Sequence, residues 1–293
     1  MSSTEGMSKM LSLVPSVQKT YDAAVDCINI RGFSDDGRNF MINGIPGMQA
    51  MTRQSSNYID SIDVIEGPST GIKGSSNYTA DGGTININSK KATDEPINKV
   101  GLKWHSKNAH EETIDIGRRF GENNRYGVRI NAYNTNGERS IKNWDLEQRN
   151  IYINLDQKTE ESKTNLLIGY TYTDSQGRPY GFSLTRNYIG NSLPSAPDGD
   201  INSNPVWRRD KNTNFVATFN HEQKINDHLS AFLNAGHFKQ DWYYYTGFSK
   251  TLINENGDFT ASSDNYSLIE KRDYAQVGLR GDFKTGDLKH DWV

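Results

Sequence analysis

The sequence predicts a mainly β protein, in which a small domain of short strands is followed by antiparallel strands of a transmembrane β-barrel. Three observations predict this class. Apolar and polar residues alternate with period two over most of residues 97–293. Tight turns alternate there with long connections, as in membrane barrels. The chain of 293 residues is polar, at 34% hydrophobic, yet it contains 15 Tyr, 5 Trp and 26 Gly, whereas disordered chains are poor in aromatic residues.

The first 96 residues contain short apolar segments separated by glycine-rich turns. Leu11, Val14 and Val17 predict one face of a short helix. Short strands are predicted at 28–30, 40–42, 62–65 and 84–88. Gly-Pro, Asn-Gly and Gly-Gly pairs lie between these strands, and such pairs mark turns. We therefore expect a small mixed domain that ends near residue 96.

The remaining residues have the pattern of an up-and-down antiparallel sheet. Apolar positions recur at every second residue of the segments 100–104, 114–116, 126–132, 151–155, 166–172, 215–219, 229–235 and 275–283. Some connections are short, namely 121–125, 159–163, 226–228 and 285–289. Others are long, namely 176–211 and 246–267. Tight turns at one end and large loops at the other are typical of transmembrane barrels.

The alternative to a membrane barrel is a soluble β-sandwich or a lipocalin-like barrel. The face opposite the apolar one carries charged and amide side chains near the middle of several strands. These are Lys103, Asp115, Arg129, Asn154, Asn234, Gln276, Arg280 and Asp282. Such side chains need water or a polar filling, which favours a barrel with a polar interior and an apolar outer face. The pattern alone leaves the soluble alternative open.

Composition and motifs argue against several classes of function. The net charge is −3, so no basic field favours nucleic acid. Cys27 is the only cysteine and the six histidines are scattered, so no metal site is expected. The sequence has no phosphate-loop motif and no paired-carboxylate arrangement beyond chance, so we do not expect an enzyme. It also has no apolar run long enough for a transmembrane helix.

Five segments of the first domain follow one another in a distinctive order. They are Ile-Asn-Ile-Arg-Gly-Phe at 28–33, Ile-Asn-Gly-Ile-Pro at 42–46, Ile-Asp-Val-Ile-Glu-Gly-Pro-Ser at 62–69, Ile-Lys-Gly at 72–74 and Gly-Gly-Thr-Ile-Asn-Ile-Asn-Ser-Lys-Lys at 82–91. The ordered set resembles the plug domain of TonB-dependent outer-membrane receptors, most closely those for ferric siderophores. The resemblance implies a plug domain at 1–96, with its N-terminal part missing, and the N-terminal portion of the barrel at 97–293.

The resemblance also implies a function. Such a protein is a receptor and transporter for ferric siderophores in the cell outer membrane, and the periplasmic protein TonB supplies the energy. Its plug lies inside a barrel of about 22 strands, of which about nine are expected here. The implied partners are the ferric siderophore, TonB and outer-membrane lipid, with no cofactor and no nucleic acid. The alternatives are a heme or cobalamin receptor of the same family and a truncated barrel fragment that does not transport.

The chain departs from the family pattern at several points. Glu66 stands where the family usually has arginine before Gly-Pro, and Lys73 replaces a common tyrosine. Neither a secretory signal nor a TonB box precedes the plug pattern, and the strands stop after about the ninth. We therefore expect either an internal portion of a longer receptor or the product of a truncated gene.

Candidate residues in the plug follow from the resemblance. The framework and turn residues are Arg31, Gly32, Gly67, Pro68, Gly74, Gly82 and Gly83. Arg31 is expected to form a salt bridge between plug and barrel wall. The ligand-facing apices of the plug are expected at Arg38, Met48, Gln49 and Tyr58.

On the barrel wall, the candidate is the aromatic run at 242–245, which includes Trp242, Tyr243 and Tyr244. A siderophore already surrounds its iron with oxygen donors, so the protein has to supply aromatic walls and hydrogen-bond donors. The same run would also fit the aromatic girdle at the membrane surface. No catalytic or metal-ligating residue is expected.

Overall fold

The structure, a computed structural model, describes residues 6–19, 27–35, 37–67, 82–179, 181–196 and 198–293. Within these ranges no helix is both long and apolar enough to cross a membrane. Five residues of the plug pattern lie outside the described residues, namely Pro68, Ser69, Ile72, Lys73 and Gly74.

The plug consists of a short helix and two small sheets. The helix α1 spans Gly6–Leu11. The strands β1 Val17–Lys19, β2 Ile28–Ile30 and β3 Phe33–Asp35 form an antiparallel sheet in that order. The strands β4 Met41–Ile42, β5 Ile45–Pro46, β6 Ile59–Glu66 and β7 Gly83–Ser89 form a second sheet in the order β5-β4-β7-β6. The four predicted strands are confirmed, but the predicted helix was wrong at its C-terminal end, because Val17 lies in β1.

Two adjacent glycines bring the strands of the plug into close contact. A Cβ on Gly82 would lie 2.1 Å from the carbonyl oxygen of Ile30, and a Cβ on Gly83 would lie 2.4 Å from that of Ile65. Gly83 also has a φ of 150°, which residues with a side chain rarely adopt. Both positions therefore require glycine.

The remaining strands form one large sheet. They are β8 Ile97–Trp104, β9 His110–Phe120, β10 Tyr126–Asn136, β11 Asp145–Lys158, β12 Ser162–Gln176, β13 Phe182–Ile189, β14 Arg209–Asn226, β15 Leu229–Asn254, β16 Phe259–Thr285 and β17 Leu288–Trp292. Nine of them form an antiparallel meander in chain order, and β13 is the exception. This confirms the fold class predicted from the alternation.

Two connections differ from the sequence prediction. The connection at 176–211 contains β13, which pairs parallel with β15. The segment 246–267 was predicted as a long loop, and this prediction was wrong. The strands β15 and β16 continue through it, with Gly247 opposite Asp264 and Leu252 opposite Phe259, and the chain turns between Asn254 and Phe259. The strand ends were predicted from the apolar segments, whereas backbone pairing continues past those segments. The hairpin is therefore longer than the sequence predicts.

The large sheet has a polar inner face and an apolar outer face. On β10, Arg129, Asn131 and Tyr133 are buried on the inner face. On the outer face of the sheet, side chains such as Leu102 and Val277 are exposed by 63% and 80%. A soluble barrel would bury its apolar face, so this arrangement is that of a membrane barrel with a polar lumen.

The outer face of β15 indicates where the apolar band ends. Apolar Leu229, Ala231, Leu233 and Ala235 alternate on this face, followed by polar His237, Lys239 and Asp241. A tilted strand crosses the bilayer core in about 9–11 residues. Because β15 spans Leu229–Asn254, the part of the strand that includes Lys250 extends beyond the membrane.

The plug packs against the lumenal face of this sheet. Its apolar core continues into four wall residues, Tyr152, Leu167, Val216 and Phe238. At Gly236 on β15 a Cβ would lie 2.7 Å from the Met48 sulfur and 2.8 Å from Ile45 Cγ2. The absence of a side chain at Gly236 therefore lets the plug approach the wall closely.

Candidate ligand-binding site

The plug is held against the wall by polar side chains that project into the lumen. Asn43, in the turn between β4 and β5, has a φ of 52°, a conformation that asparagine tolerates better than most residues. Its amide nitrogen donates to Ser89 Oγ at 2.9 Å and to Asn165 Oδ1 of the wall at 3.3 Å. The wall residue Asn220 donates to the Asn43 carbonyl at 3.1 Å. This turn is therefore fixed to two wall strands.

The end of the plug is attached to the wall by an ionic cluster. Lys90 Nζ donates to the Asn57 carbonyl at 2.7 Å and to Asp115 Oδ2 at 3.1 Å. Arg129 donates to both oxygens of Asp115, at 2.5 Å and 2.8 Å, and to the Lys91 carbonyl at 3.3 Å. Asp115 thus links a plug lysine to a wall arginine.

The plug segment 52–58 also contacts the wall along its length. Asn212 donates to Thr52 Oγ1 at 2.8 Å, and Asn57 donates to Asn150 Oδ1 at 3.1 Å. At its end, Tyr58 stacks on Tyr152 with ring centroids 3.8 Å apart and an interplanar angle of 9°. These contacts place the segment firmly on the lumenal wall.

The predicted plug apices lie mostly within this interface. Met48, Gln49 and Tyr58 are buried, and the Tyr58 hydroxyl donates to Gln49 Oε1 at 3.3 Å. The side chain of Arg38 is half-buried. Since the three buried residues present no surface to the lumen here, ligand contact by them stays a prediction.

The framework residues that the structure describes lie in turns and close contacts. Arg31 and Gly32 form the turn between β2 and β3, with φ of 53° and 87°. Arg31 is exposed, and its salt bridge between plug and barrel wall stays a prediction. Gly67 follows β6 with a φ of 104°. Gly82 and Gly83 lie at the close approach described above.

The aromatic run on β15 is divided between the two faces of the sheet. Trp242 is 4% exposed and lies on the lumenal face with Tyr244, whereas Tyr243 is 44% exposed and lies on the outer face. Successive residues of a strand point to opposite faces, so the three residues cannot form one surface. The prediction that Tyr243 belongs to a lumenal ligand wall was therefore wrong. The side chain of Tyr245 lies outside the described part of the chain.

A third aromatic residue, Tyr266 on β16, completes a lumenal cluster. The ring centroids of Trp242, Tyr244 and Tyr266 lie 5.7 Å, 5.6 Å and 5.0 Å apart in pairs. Tyr266 is 45% exposed, so the cluster has a surface that a ligand can reach. We call these three residues the aromatic cluster.

Basic residues from the long connection between β12 and β14 lie against this cluster. The guanidinium carbons of Arg178 and Arg208 lie 5.6 Å and 5.4 Å from the centre of the Tyr244 ring. Arg208 donates to the Tyr244 hydroxyl, and its other terminal nitrogen donates to the Arg178 carbonyl at 3.0 Å. Arg178 Nε lies 3.2 Å from Asp210 Oδ2.

A third cation, Lys250, lies beside the same group. It is buried, donates to Ser203 Oγ and lies 4.3 Å from the centre of the Phe182 ring. Burial, together with the nearby Arg208 charge, lowers the pKa of Lys250 to about 8. Arg178, Arg208 and Lys250 are called the cation cluster below.

Comparisons with known proteins agree with this architecture. Residues 2–80 match the family model of the TonB-dependent receptor plug domain. The chain is therefore similar to TonB-dependent receptors: it has a match to their plug domain, followed by a large antiparallel sheet.

Individual relatives support the same similarity. Over 265 residues it is 26% identical to the ferrichrome receptor FcuA of Yersinia enterocolitica, covering 89% of this chain and 34% of FcuA. It superposes on BauA, the ferric preacinetobactin receptor of Acinetobacter baumannii, with a TM-score of 0.88 and 25% identity, covering 95% of this chain and 41% of BauA. The pyoverdine receptor FpvA of Pseudomonas aeruginosa gives a TM-score of 0.81 at 16% identity, covering 97% and 42%, and supports the fold alone. The chain therefore spans well under half of each relative.

The sequence analysis predicted neither Tyr266 nor any member of the cation cluster as a site residue. Arg178 and Arg208 flank the connection that was predicted only as a long loop, and hydrogen bonds across its base bring them together. Gly177 donates to the Arg208 carbonyl at 2.7 Å, and Asn204 donates to the Arg178 carbonyl at 2.7 Å. The sequence did contain one signal for this cluster, which is an arginine at each end of a single long connection.

Proposed function

We propose that the protein containing this chain binds a ferric siderophore at the end of the barrel that carries the long connections, and that it transports the complex across the outer membrane with energy from TonB. The observation that carries this proposal is the aromatic cluster on the lumenal wall, beside a plug that is fixed to that wall. The reachable ring of Tyr266 and the nearby basic residues suit an oxygen-rich, partly aromatic ligand.

The relatives support the choice of ligand class. FcuA, BauA and FpvA are named as receptors for ferrichrome, ferric preacinetobactin and pyoverdine. These ligands differ in chemistry, so the relatives support a ferric siderophore without choosing among them. Coupling to TonB and the outer-membrane location are proposed from the similarity to the plug family. The proposed transport involves no covalent step.

The test is an uptake assay in a strain that lacks its own siderophore, heme and cobalamin receptors. The full-length gene is expressed with and without functional TonB, and uptake of radiolabelled iron is measured with a panel of ferric siderophores, heme and labelled cobalamin. We expect uptake from at least one ferric siderophore, and only in cells with TonB. Uptake of heme or cobalamin alone would contradict the ligand class, and equal uptake without TonB would contradict the coupling.

A further inference from the structure

Lys250 is a buried lysine for which the described part of the chain provides no carboxylate partner. It is 0% exposed. Its amine donates to Ser203 Oγ and lies 4.3 Å from the centre of the Phe182 ring. None of the ion pairs among the described residues includes Lys250. Because an isolated buried charge is costly, these surroundings disfavour the charged form of the side chain.

Asp264 lies in the strand opposite Lys250 but projects from the other face. Lys250 pairs with Ala261 in the register of β15 and β16, and directly paired residues share a face of the sheet. Asp264 is three residues further along β16, so its side chain points to the opposite face. On the other edge of β15, Lys250 pairs with Phe182 of β13, and β13 contains no acidic residue.

The other acidic residues around this part of the chain have partners of their own or are exposed. The paired ones are Asp174 with Arg209, Asp200 with Lys142 and Asp210 with Arg178, at 2.7 Å, 2.7 Å and 3.2 Å. The exposed ones are Asp198, Glu255 and Asp258. Positions 180, 185, 197 and 245–249, whose side chains lie outside the described part of the chain, include no acidic residue.

The same surroundings favour the neutral amine. Burial and the charge of Arg208 lower the pKa of Lys250 to about 8, from the ordinary 10.5. Near pH 8, a larger fraction of this side chain is therefore neutral than of an exposed lysine. A neutral amine has a free electron pair, and desolvated lysines act as nucleophiles for this reason. Lys250 is therefore suited to react with an electrophile.

Carbon dioxide is the electrophile that fits this enclosed site. It is small and uncharged, so it can enter where larger or charged reagents are excluded, and the Phe182 ring provides an apolar neighbour. In the reaction, the Nζ electron pair forms a bond to the carbon of carbon dioxide, and one C=O electron pair moves onto oxygen. The amine releases one proton to water. The product is a carbamate anion, and no oxidant or reductant is needed.

The carbamate suits the groups around Lys250 better than the protonated amine does. The Ser203 hydroxyl accepts from the amine, and it can instead donate to a carbamate oxygen. The charge of Arg208 disfavours the protonated amine, whereas it attracts a carbamate. Ser203 and Arg208 belong to the connection between β12 and β14, and Lys250 belongs to β15. Carbamate formation therefore replaces repulsion between these two elements by attraction.

We infer that Lys250 is a site of reversible modification by carbon dioxide, and that the carbamate holds the connection between β12 and β14 against β15. The inference adds a modification site to the proposed function and does not depend on which ligand the protein binds. It assigns the reacting atom to Lys250 Nζ and the stabilising contacts to Ser203 and Arg208.

The experiment uses the purified full-length protein that contains this chain, at a pH of about 8. ¹³C NMR spectra recorded with ¹³C-labelled bicarbonate, which is in equilibrium with dissolved carbon dioxide, detect the carbamate carbon. Hydrogen–deuterium exchange of residues 181–208 is measured in bicarbonate and in chloride of equal ionic strength. The variants are Ser203→Ala and Lys250→Arg, which keeps the charge but removes the reacting amine. The matched control is Lys142→Arg, because Lys142 is 58% exposed and pairs with Asp200 of the same connection.

We expect a carbamate signal in the native protein and in Lys142→Arg that is lost in Lys250→Arg. A carbamate at the N-terminal amine would contribute equally to all three proteins. Ser203→Ala should raise the bicarbonate concentration needed for half-maximal signal by about tenfold, because a hydrogen bond to a charged group is lost. Bicarbonate should slow exchange in residues 181–208 at least about threefold in the native protein and leave Lys250→Arg unchanged.

Three results would overturn the inference. The first is a native spectrum at saturating bicarbonate that has no carbamate signal beyond that of the N-terminal amine. The second is a signal of equal size in the native protein and in Lys250→Arg. The third is exchange in residues 181–208 that does not respond to bicarbonate, which would remove the structural role of the carbamate.

A second measurement assigns the residue without any variant. The carbamate of the native protein is trapped as its ethyl ester with triethyloxonium, and peptide mass spectrometry locates the ester. We expect the ester on Lys250, and an ester found only on other amines would overturn the assignment. None of these results bears on uptake of a ferric siderophore, so the proposed function would stand if the inference failed.

Discussion

Arg272 of the wall donates to the carbonyl of plug residue Arg38 at 2.8 Å, and with its other terminal nitrogen to the carbonyl of Gln49, also at 2.8 Å. One side chain on β16 thus ties two separate plug loops to the barrel. Its guanidinium carbon lies 4.1 Å from the centre of the Phe238 ring, and its Nε lies 3.3 Å from Glu270 Oε1. The Phe238 ring and the Glu270 carboxylate therefore hold the guanidinium of Arg272 in position.

Replacing Arg272 should loosen both loops while the barrel stays folded. In Arg272→Gln we expect the amides of residues 37–50 to exchange hydrogen at least about tenfold faster, because two charge-assisted hydrogen bonds are lost. Hydrogen–deuterium exchange with mass spectrometry measures this directly. The matched control is Arg280→Gln, since Arg280 lies on the same strand, 5.0 Å from the centre of the Phe232 ring. Unchanged exchange in Arg272→Gln, or equal changes in both variants, would contradict the role given to Arg272.

The ionic cluster at the end of the plug should be sensitive to loss of its carboxylate. Asp115→Asn leaves Lys90 and Arg129 without their shared charge in a largely enclosed position, at a cost of about 3 kcal/mol. The expected result is faster hydrogen exchange in β7 and a lower urea concentration for plug unfolding. The control is Asp94→Asn, which removes an exposed partner of Lys158 at 2.9 Å and should leave both readouts unchanged. If the two variants behave alike, the cluster does not anchor the plug.

The glycine pair should not tolerate even a methyl group. In Gly82→Ala the new Cβ would collide with a backbone oxygen that cannot move alone, so the plug should lose about 1–3 kcal/mol of stability. The control is Gly199→Ala, because no heavy atom lies within 4 Å of a Cβ at Gly199. Limited proteolysis of the assembled receptor should cleave the plug of Gly82→Ala faster and leave Gly199→Ala unaffected. Native resistance in Gly82→Ala would mean that the strands can separate there without cost.

Affinity for an anionic ferric complex should fall as pH rises through about 8. The pKa of Lys250 is lowered to about 8 by burial and by the charge of Arg208. Because this value lies below the ordinary 10.5 of lysine, the side chain is a cation near pH 7 and mostly neutral near pH 9. An anion prefers the protonated form, so binding weakens over that range. Titrations of the receptor's tryptophan fluorescence with a trianionic ferric tris(catecholate) between pH 7 and 9 measure the effect, and Lys250→Met should abolish it. A pH-independent affinity in the native protein would rule out this role for Lys250.

The sequence was sufficient to predict which face is polar in the eight alternating segments of the barrel strands. Period-two alternation alone assigns Asp115 and Arg129 to one surface, and the structure brings them together in the lumen. The same rule, applied within the run at 242–245, separates Tyr243 from its neighbours. The error at Tyr243 arises because the aromatic run was treated as one ligand-binding surface, without applying the alternation to its individual residues.

The partners of these residues could not be predicted in the same way. Tyr266 faces Tyr244 because β15 and β16 pair through a hairpin that extends beyond the apolar band, and the strand register across that hairpin is not visible in a single sequence. Arg178 and Arg208 are 30 residues apart and meet through hydrogen bonds at the base of an irregular connection. The burial of Met48 and Tyr58 likewise depends on how the plug lies against the wall.

The most direct test of the account compares two neighbouring tyrosines on opposite faces of β15. Tyr244→Ala removes a lumenal ring of the aromatic cluster, whereas Tyr243→Ala removes an outward-facing ring. Uptake of radiolabelled iron from the preferred ferric siderophore is measured at matched surface abundance of the two variants. The account predicts that Tyr244→Ala lowers uptake by about tenfold or more and that Tyr243→Ala retains it. Equal uptake by the two variants, or loss confined to Tyr243→Ala, would contradict a ligand site on the lumenal wall.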